Sequence, residues 1–183
     1  MLTAKGAATR ERIVRGTAEL IRARGVSVGL DDIRATTSTS KSQLFHYFPD
    51  GKADLLLAVA RHEAARVLDD QRPELDDLTT WAKWQAWRVR ILEIYDAQRA
   101  GCPLSALVSQ PGATEIVTDL YGRWHACLVT GIEALRETSS GVDPDHAATT
   151  ILTAVTGGAS LLQATGDMTY LETALTDAIE ALR

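Results

Sequence analysis

The sequence is poor in cysteine and contains no long apolar run. Its two cysteines, Cys102 and Cys127, are too few and too far apart for a disulfide framework or a zinc site. No stretch approaches the roughly 20 apolar residues that a membrane helix needs. The N-terminus MLTAKGAATRER lacks the apolar core of a signal peptide. These absences predict a soluble, cytoplasmic protein that makes no membrane contact.

Motifs for catalysis and for cofactor binding are missing as well. The four histidines show no metal-ligand spacing, and no Ser-His-Asp, Cys-His or paired-carboxylate arrangement occurs at local spacing. There is also no glycine-rich phosphate loop and no internal repeat. We therefore expect no cofactor, no metal and no enzymatic activity. An all-helical enzyme assembled from distant residues, or an adaptor without DNA binding, is the alternative.

Charge is distributed unevenly along the chain. With 45% hydrophobic and 23% charged residues, the 183-residue chain has an ordinary globular composition, enough for one large or two small domains. Residues 1–52 hold nine Lys and Arg and five Asp and Glu, a net charge of +4. The other 131 residues hold 10 and 19, a net charge of −9. A basic head on an acidic body indicates that only the head meets phosphate.

Residues 30–52 predict two short helices joined by a tight polar turn. The first helix begins at Leu30, carries two acids in its first turn and ends in the turn 36–39, TTST. Ser40 is expected to cap a second helix, 41–47, which a Pro-Asp-Gly sequence stops. This arrangement is a helix-turn-helix, whose second helix enters the major groove of DNA. A solvated helical hairpin is the plain alternative.

The same stretch resembles the DNA-binding segment of the TetR family of bacterial repressors. That family's second helix reads roughly S-K-x-x-L-Y-x-H-F and is followed by a lysine that contacts phosphate. Two residues depart from the pattern, because Ser38 replaces a glycine of the turn and Arg34 replaces an alanine that faces the second helix. They predict a strained or differently shaped turn and leave open a repressor without DNA affinity. The matching residues are Ser40, Lys41, Leu44, Phe45, Tyr47, Phe48 and Lys52.

The outward side of the second helix supplies the predicted DNA contacts. Lys41, Gln43 and His46 are expected to face base edges in the major groove. The resemblance assigns Tyr47 and Lys52 to phosphates, and the outward positions before the helix add two hydroxyl groups. The complete predicted DNA-binding set is Thr39, Ser40, Lys41, Gln43, His46, Tyr47 and Lys52.

Apolar periodicity predicts an all-α chain of about nine helices, with three in the head, one bridging helix and five in the body. The head should begin with a disordered stretch 1–8 and a helix capped by Thr9. The domains are then 1–51, which binds DNA, and 52–183, which binds ligand and dimerises. This order is similar to the TetR architecture. The body helices are predicted at 78–100, 103–110, 114–139, 144–165 and from 169 onwards.

The family resemblance implies a function. A TetR-like chain is a dimeric repressor whose body binds a small-molecule inducer and thereby releases palindromic operator DNA. Residues 101–105, GCPLS, also resemble the Gly-Cys-x-Leu-Gly stretch of the LmrA-like subgroup, with Ser105 in place of its last glycine. Within this stretch Cys102 reads as a small buried residue rather than a redox sensor, because no resolving partner is evident.

The last two helices are the predicted dimer interface. Each carries a single apolar stripe, and we expect both to pair with their copies in a second chain as a four-helix bundle. Such a dimer places two recognition helices about 34–36 Å apart, one turn of DNA. Leu175 and Ile179 represent this stripe, and their replacement by Glu is expected to give monomers.

An aromatic arc in the helix 78–100 suggests a ligand cavity. Three tryptophans and a tyrosine share this arc with Arg88, and a mostly apolar wall with a few polar groups is typical of ligand sites. An ordinary core explains the aromatic residues equally well. The ligand would be flat, largely apolar or aromatic, and able to accept a hydrogen bond. The predicted wall residues are Trp84, Arg88, Tyr95, Trp124 and Gln163.

Overall fold

The computed structural model describes residues 3–98, 104, 107–108, 110–136 and 141–183. Within these ranges the secondary structure is helical, with eight α-helices and one short 3-10 helix, Glu74–Asp76. The predicted all-α class is confirmed, and most of the predicted helix 103–110 lies outside the described ranges. The α-helices are α1 (Ala4–Arg24), α2 (Leu30–Thr36), α3 (Lys41–Tyr47), α4 (Lys52–Asp69), α5 (Trp81–Ala97), α6 (Ala113–Arg136), α7 (Pro144–Thr165) and α8 (Thr169–Glu180).

The described residues form two compact units. The first unit draws on Met1–Arg66 and Gly101–Thr118, and it contains α1, α2, α3 and most of α4. The second unit draws on Val67–Ala100 and Asp119–Arg183, and it contains α5, α7 and α8. The predicted domain boundary after residue 51 divides a DNA-binding part from a ligand-binding part and does not coincide with the boundary between these compact units. It stays a prediction. None of the described helices is long and apolar enough to span a bilayer.

Helix α1 begins earlier than predicted. The Thr3 hydroxyl oxygen accepts a hydrogen bond from the Gly6 N–H at 3.2 Å and so caps the helix at its N-terminus. Thr9 lies inside the helix, and its hydroxyl donates to the Lys5 carbonyl. The predictions of a Thr9 cap and of disorder through residue 8 are therefore wrong, because a capped, alanine-containing segment extends the helix without apolar periodicity.

Two polar contacts fasten α4 within the first unit. Glu63 is buried, and its carboxylate lies 3.1 Å from a guanidinium nitrogen of Arg22 on α1. Three turns earlier, the Lys52 ammonium donates to the Val26 carbonyl at 3.1 Å, in the loop between α1 and α2. The apolar core around these contacts consists of fully buried side chains on all four helices, including Ile13, Ile33, Leu44, Phe48, Leu55 and Val59.

Glycines allow close packing in the second unit. A Cβ at Gly158 of α7 would lie only 2.6 Å from the Leu171 Cα on α8, so the two backbones meet directly. A Cβ at Gly131 of α6 would lie 2.4 Å from the Leu78 Cβ and 3.1 Å from the Trp84 ring. At both positions glycine is required by space rather than by backbone conformation.

The apolar stripe of α8 faces its own chain. Leu171, Leu175 and Ile179 are completely buried within a single chain, and Leu182 is nearly so. The prediction that Leu175 and Ile179 face a second chain is therefore wrong. Periodicity identified the stripe correctly, but it could not tell an intrachain neighbour from a partner chain.

Candidate nucleic-acid interface

The helix-turn-helix of the first unit has the predicted bounds. Helix α3 spans Lys41–Tyr47, and a reciprocal cap starts it. The Ser40 hydroxyl oxygen accepts from the Gln43 N–H at 3.2 Å, and the Gln43 side-chain oxygen accepts from the Ser40 N–H at 3.2 Å. Leu44 and Phe48 are completely buried and anchor the helix, which leaves its opposite side facing outward.

The turn between α2 and α3 is strained and braced. Ser38 has φ 48°, the one positive φ at a non-glycine residue among those described. A left-handed conformation costs such a residue about 1–2 kcal/mol. Thr37 offsets this cost, because its hydroxyl donates to the Ile33 carbonyl at 2.7 Å and its carbonyl accepts from the Arg12 guanidinium and the Thr39 hydroxyl. The predicted departure from a glycine turn is thus confirmed.

Arg34 opens a small hollow between α2 and α3. Its Nη1 donates to the Asp31 carboxylate at 2.8 Å, and its buried Nε has no acceptor among the described residues. The alanine usual at this place in the family would leave no such side chain between the helices. The hollow has a volume of about 280 Å³ and is lined by Leu30, Asp31, Arg34, Lys41, Leu44 and Phe45.

The three predicted base-reading residues are solvent-exposed on α3. Lys41, Gln43 and His46 are all exposed there, as is Ser40 at the start of the helix. Tyr47 is half-buried, and its ring packs edge-on against His46 at a centroid distance of 4.9 Å. Four of these five side chains are therefore open to solvent along or just before α3, and Tyr47 is partly so.

Two predicted phosphate contacts are less available in this conformation. Thr39 is buried, and its hydroxyl donates to the Thr37 carbonyl. Lys52 is half-buried and uses its ammonium on the Val26 carbonyl, although an ammonium group has three donors. Sequence reasoning gave no DNA role to Phe45, an exposed ring on α3, although its place one turn after Lys41 signals a shared face.

The two acidic residues of α2 are paired with bases. Asp31 binds Arg34, and the Asp32 carboxylate lies 3.6 Å from a guanidinium nitrogen of Arg24. Both pairs reduce the repulsion that free carboxylates would exert on DNA phosphates.

In the second unit, hydrogen bonds from Lys83 and then Thr79 hold the pKa of the Asp77 carboxyl below its usual value.

The predicted ligand-site residues fall into two groups. Trp84 on α5 and Trp124 on α6 are buried, and neither indole N–H has an acceptor among the described residues. Arg88 is half-buried and donates to side-chain oxygens of Gln85 and Thr176. Gln163 is exposed on α7 and does not join the buried group, and Tyr95 is half-buried on α5.

Other predicted features are only partly described. Leu104 and Leu107 are buried, while most of 101–105, including Cys102, lies outside the described residues, so the LmrA-like resemblance stays a prediction. Cys127 is a free, half-buried thiol. In the described ranges no group of three or more His, Cys, Asp or Glu residues could hold a metal ion.

Comparison with known proteins gives one family. The model described as bacterial regulatory proteins, tetR family, matches residues 13–59. An uncharacterized HTH-type transcriptional regulator of Mycobacterium tuberculosis is 27% identical over 169 residues, covering 84% of this chain and 82% of that protein. A TetR transcription regulator from Haloarcula marismortui has a TM-score of 0.79 at 20% identity, covering 96% and 98% of the two chains. A TetR-family regulator from Cytophaga hutchinsonii has a TM-score of 0.79 at 17% identity, covering 100% and 96%.

These matches favour a DNA-binding regulator over an enzyme or adaptor, the two classes of function considered from the sequence. The matched residues 13–59 run from α1 into α4 and include every predicted DNA-binding residue. The solved structures show the fold over nearly the whole chain. The relatives are regulators rather than enzymes. With the helix-turn-helix and the family's sequence pattern in the same place, residues 13–59 match the DNA-binding region of the bacterial regulatory proteins of the tetR family.

Proposed function

We propose that the protein is a cytoplasmic, homodimeric repressor that binds a palindromic operator and leaves it when a small, largely apolar or aromatic ligand binds the body. The observation that carries the proposal is α3 itself. It presents Lys41, Gln43 and His46 outward from a capped helix, while Leu44 and Phe48 fix its orientation from below. A recognition helix needs this combination of a rigid anchor and an exposed polar edge.

Two kinds of DNA contact follow from the positions of the side chains. Lys41, Gln43 and His46 would read base edges, because all three are exposed polar side chains on α3. Contacts with the DNA phosphates would come from residues on either side of these three. There, DNA binding would compete with the intramolecular hydrogen bonds described above. The proposed phosphate contacts are Thr39, Ser40, Tyr47 and Lys52.

Binding to DNA can be tested with a duplex selected by the intact protein from a random library. Fluorescence anisotropy should show salt-dependent, sequence-preferring binding. Lys41→Ala should relax base preference by about 1–3 kcal/mol at one position. Lys52→Ala should weaken all sequences alike and flatten the salt slope.

Arg123→Ala is the control for simple loss of positive charge, because Arg123 lies in the acidic second unit and pairs with Asp119. It should leave DNA affinity unchanged. A Lys52→Ala variant that altered base preference but kept the salt slope would show that the two roles are assigned wrongly.

The exposed face of α7 supports dimerisation through the last two helices. The helix has no Asp, Glu, Lys or Arg after Asp145, and Leu161 is 46% exposed on it. Its hydroxyl groups are satisfied within the helix, as Thr153 donates to Thr149 and Ser160 to Thr156. Such a face can be covered by a partner without leaving polar groups unpaired. On α8 the exposed Tyr170 adds an aromatic side chain.

Two unpaired indole donors support a ligand site in the body. Leaving a buried donor without an acceptor costs about 1–3 kcal/mol. A ligand with a carbonyl, carboxylate or ether oxygen could satisfy the N–H of Trp84 or Trp124, and aromatic surroundings favour a flat, apolar remainder. Arg88 and Tyr95 would complete the wall, whereas the exposure of Gln163 gives it the weakest support.

Ligand release of DNA would require coupling between the two sites. In the proposed switch, ligand binding tilts α4 and changes the spacing of the two heads; the segment 102–110, predicted to transmit this movement, lies mostly outside the described residues. The ligand must bind the DNA-free form more tightly, typically by about 1–3 kcal/mol. A compound that quenches tryptophan fluorescence should therefore raise the Kd for DNA. Quenching without any change in this Kd would refute the switch while leaving the ligand site.

A further inference from the structure

Phe45 is an apolar side chain in the middle of a polar surface. It lies on α3 one turn after Lys41, and 40% of it is exposed. The ring borders the hollow between α2 and α3 together with Lys41 and Arg34. The phenyl ring thus lies on the side of α3 that carries exposed Lys41, and two-fifths of its surface remains open to solvent.

One edge of the ring packs against the backbone at Gly51. Its Cε1 atom lies 3.3 Å from the position that a Cβ of Gly51 would occupy, so the ring rests on the backbone just before α4. Gly51 has φ +70°, a conformation that glycine adopts without strain. The ring therefore lies between a proposed base reader, Lys41, and a proposed phosphate contact, Lys52.

A phenyl ring at this place can recognise only apolar groups of DNA by direct contact. It has no atom that donates a hydrogen bond to a phosphate or pairs with a polar base edge. In the major groove the 5-methyl group of thymine is the apolar feature that distinguishes one base pair from another. A ring that already packs on Gly51 would meet such a methyl group with part of its side-chain freedom already lost.

We infer that Phe45 is a specificity-determining residue that packs against a thymine methyl group in each operator half-site. The inference rests on the proposed DNA-binding function and extends it from polar contacts to apolar readout. Burying one methyl group corresponds to about 0.8 kcal/mol, or roughly a fourfold change in affinity per half-site. A symmetric operator contacted by two chains would then lose about 16-fold when both methyl groups are removed.

Replacing thymine by deoxyuridine tests the inference, because this change removes the methyl group alone. In a duplex selected by the intact protein, each thymine is replaced in turn in both half-sites, and Kd is measured by anisotropy. The wild type should lose about 16-fold at one position. Phe45→Ala should bind the thymine duplex more weakly and show no difference between thymine and uracil there.

Two controls separate this contact from general damage to α3. Phe45→Leu keeps an apolar side chain and should retain part of the thymine preference, and Lys41→Ala should retain all of it. Thermal melting by circular dichroism verifies that each variant is folded. A thymine-to-uracil ratio that Phe45→Ala leaves intact at every position would overturn the inference.

The same measurements distinguish failure of the inference from failure of the proposed function. Sequence-preferring, salt-dependent binding with no thymine methyl effect would overturn the role of Phe45 and keep the proposed function. Absence of any salt-dependent binding by the wild type would overturn both.

Discussion

The two units satisfy their polar groups in different ways. In the first unit, the turn and the start of α3 close their own hydrogen bonds, as Ser40 with Gln43 and Thr37 with Ile33 show. In the second unit, the buried indoles of Trp84 and Trp124 have no acceptors in the described part of the chain. The outward face of α7 carries no charged side chain after Asp145. The difference is that the turn and the start of α3 satisfy their own polar groups, with the buried Arg34 Nε of α2 as the exception, whereas the second unit keeps two buried donors that the proposed ligand could satisfy.

The largest effect is expected at the exposed face of the second unit, where the dimer is proposed to form. The double variant Leu161→Glu with Tyr170→Glu places four carboxylates in a dimer interface and should give monomers by analytical ultracentrifugation. Losing the second head removes bivalent binding, which should weaken affinity for a palindrome by about 100-fold or more. Val89→Glu is the matched control, since Val89 is similarly exposed but lies on α5. An unchanged dimer would place the interface elsewhere.

The second prediction concerns the close approach of α7 and α8. Gly158→Ala places a Cβ 2.6 Å from the backbone of Leu171, so the helices must separate. Chemical denaturation should show a loss of about 1–3 kcal/mol in the free energy of unfolding. Gly122→Ala is the control on α6, because its Cβ would meet nothing within 4 Å and alanine favours the helix by about 0.5–1 kcal/mol. Equal effects would show that packing does not require Gly158.

The third prediction compares two tryptophans of α5. Trp84 and Trp87 are both completely buried, but only the Trp87 N–H is described with an acceptor, the Gln71 side-chain oxygen at 3.0 Å. Trp87→Phe leaves that buried oxygen unpaired, whereas Trp84→Phe removes an unpaired donor. Trp87→Phe should therefore lower the free energy of unfolding by about 1 kcal/mol more. The reverse order would mean that Trp84 already has a bound acceptor in the protein as isolated.

The smallest effect is expected in the turn of the first unit. Ser38→Gly relieves the left-handed strain but increases the freedom of the unfolded chain, so the net gain should be about 0.5–1 kcal/mol in unfolding experiments. Ser42→Gly, an exposed helical position on α3, should instead destabilise by a similar amount. A loss of stability in Ser38→Gly would show that the serine side chain stabilises the turn.

Local sequence signals predicted the first unit well. The bounds of α3, its Ser40 cap and the unusual Ser38 turn all depend on residues within a few positions of one another. The Asp143 cap and Pro144 start of α7 were predictable for the same reason. The start of α1 was missed because its cap, Thr3, precedes any apolar periodicity.

Longer-range features of the second unit could not be predicted in the same way. Periodicity placed Leu175 and Ile179 on one stripe, but only the fold shows that the stripe faces its own chain. The polarity of Gln163 beside an apolar arc predicts a ligand contact, whereas the structure places this side chain on the exposed surface of α7. Burial of the Trp84 and Trp124 rings followed from the pattern, whereas their missing acceptors did not.

The two polar contacts of α4 determine how a movement of this helix would be transmitted to the rest of the first unit. Lys52 and Glu63 lie 11 residues apart on one helix, about 16 Å along its axis, and each is tied to α1 or to the loop that follows it. Because α4 is held at two separated points, it cannot rotate about one contact without disrupting the other. In the proposed switch, α1 and the loop after it should therefore turn together with α4, and the angle imposed on α4 would become the angle through which α3 leaves the groove.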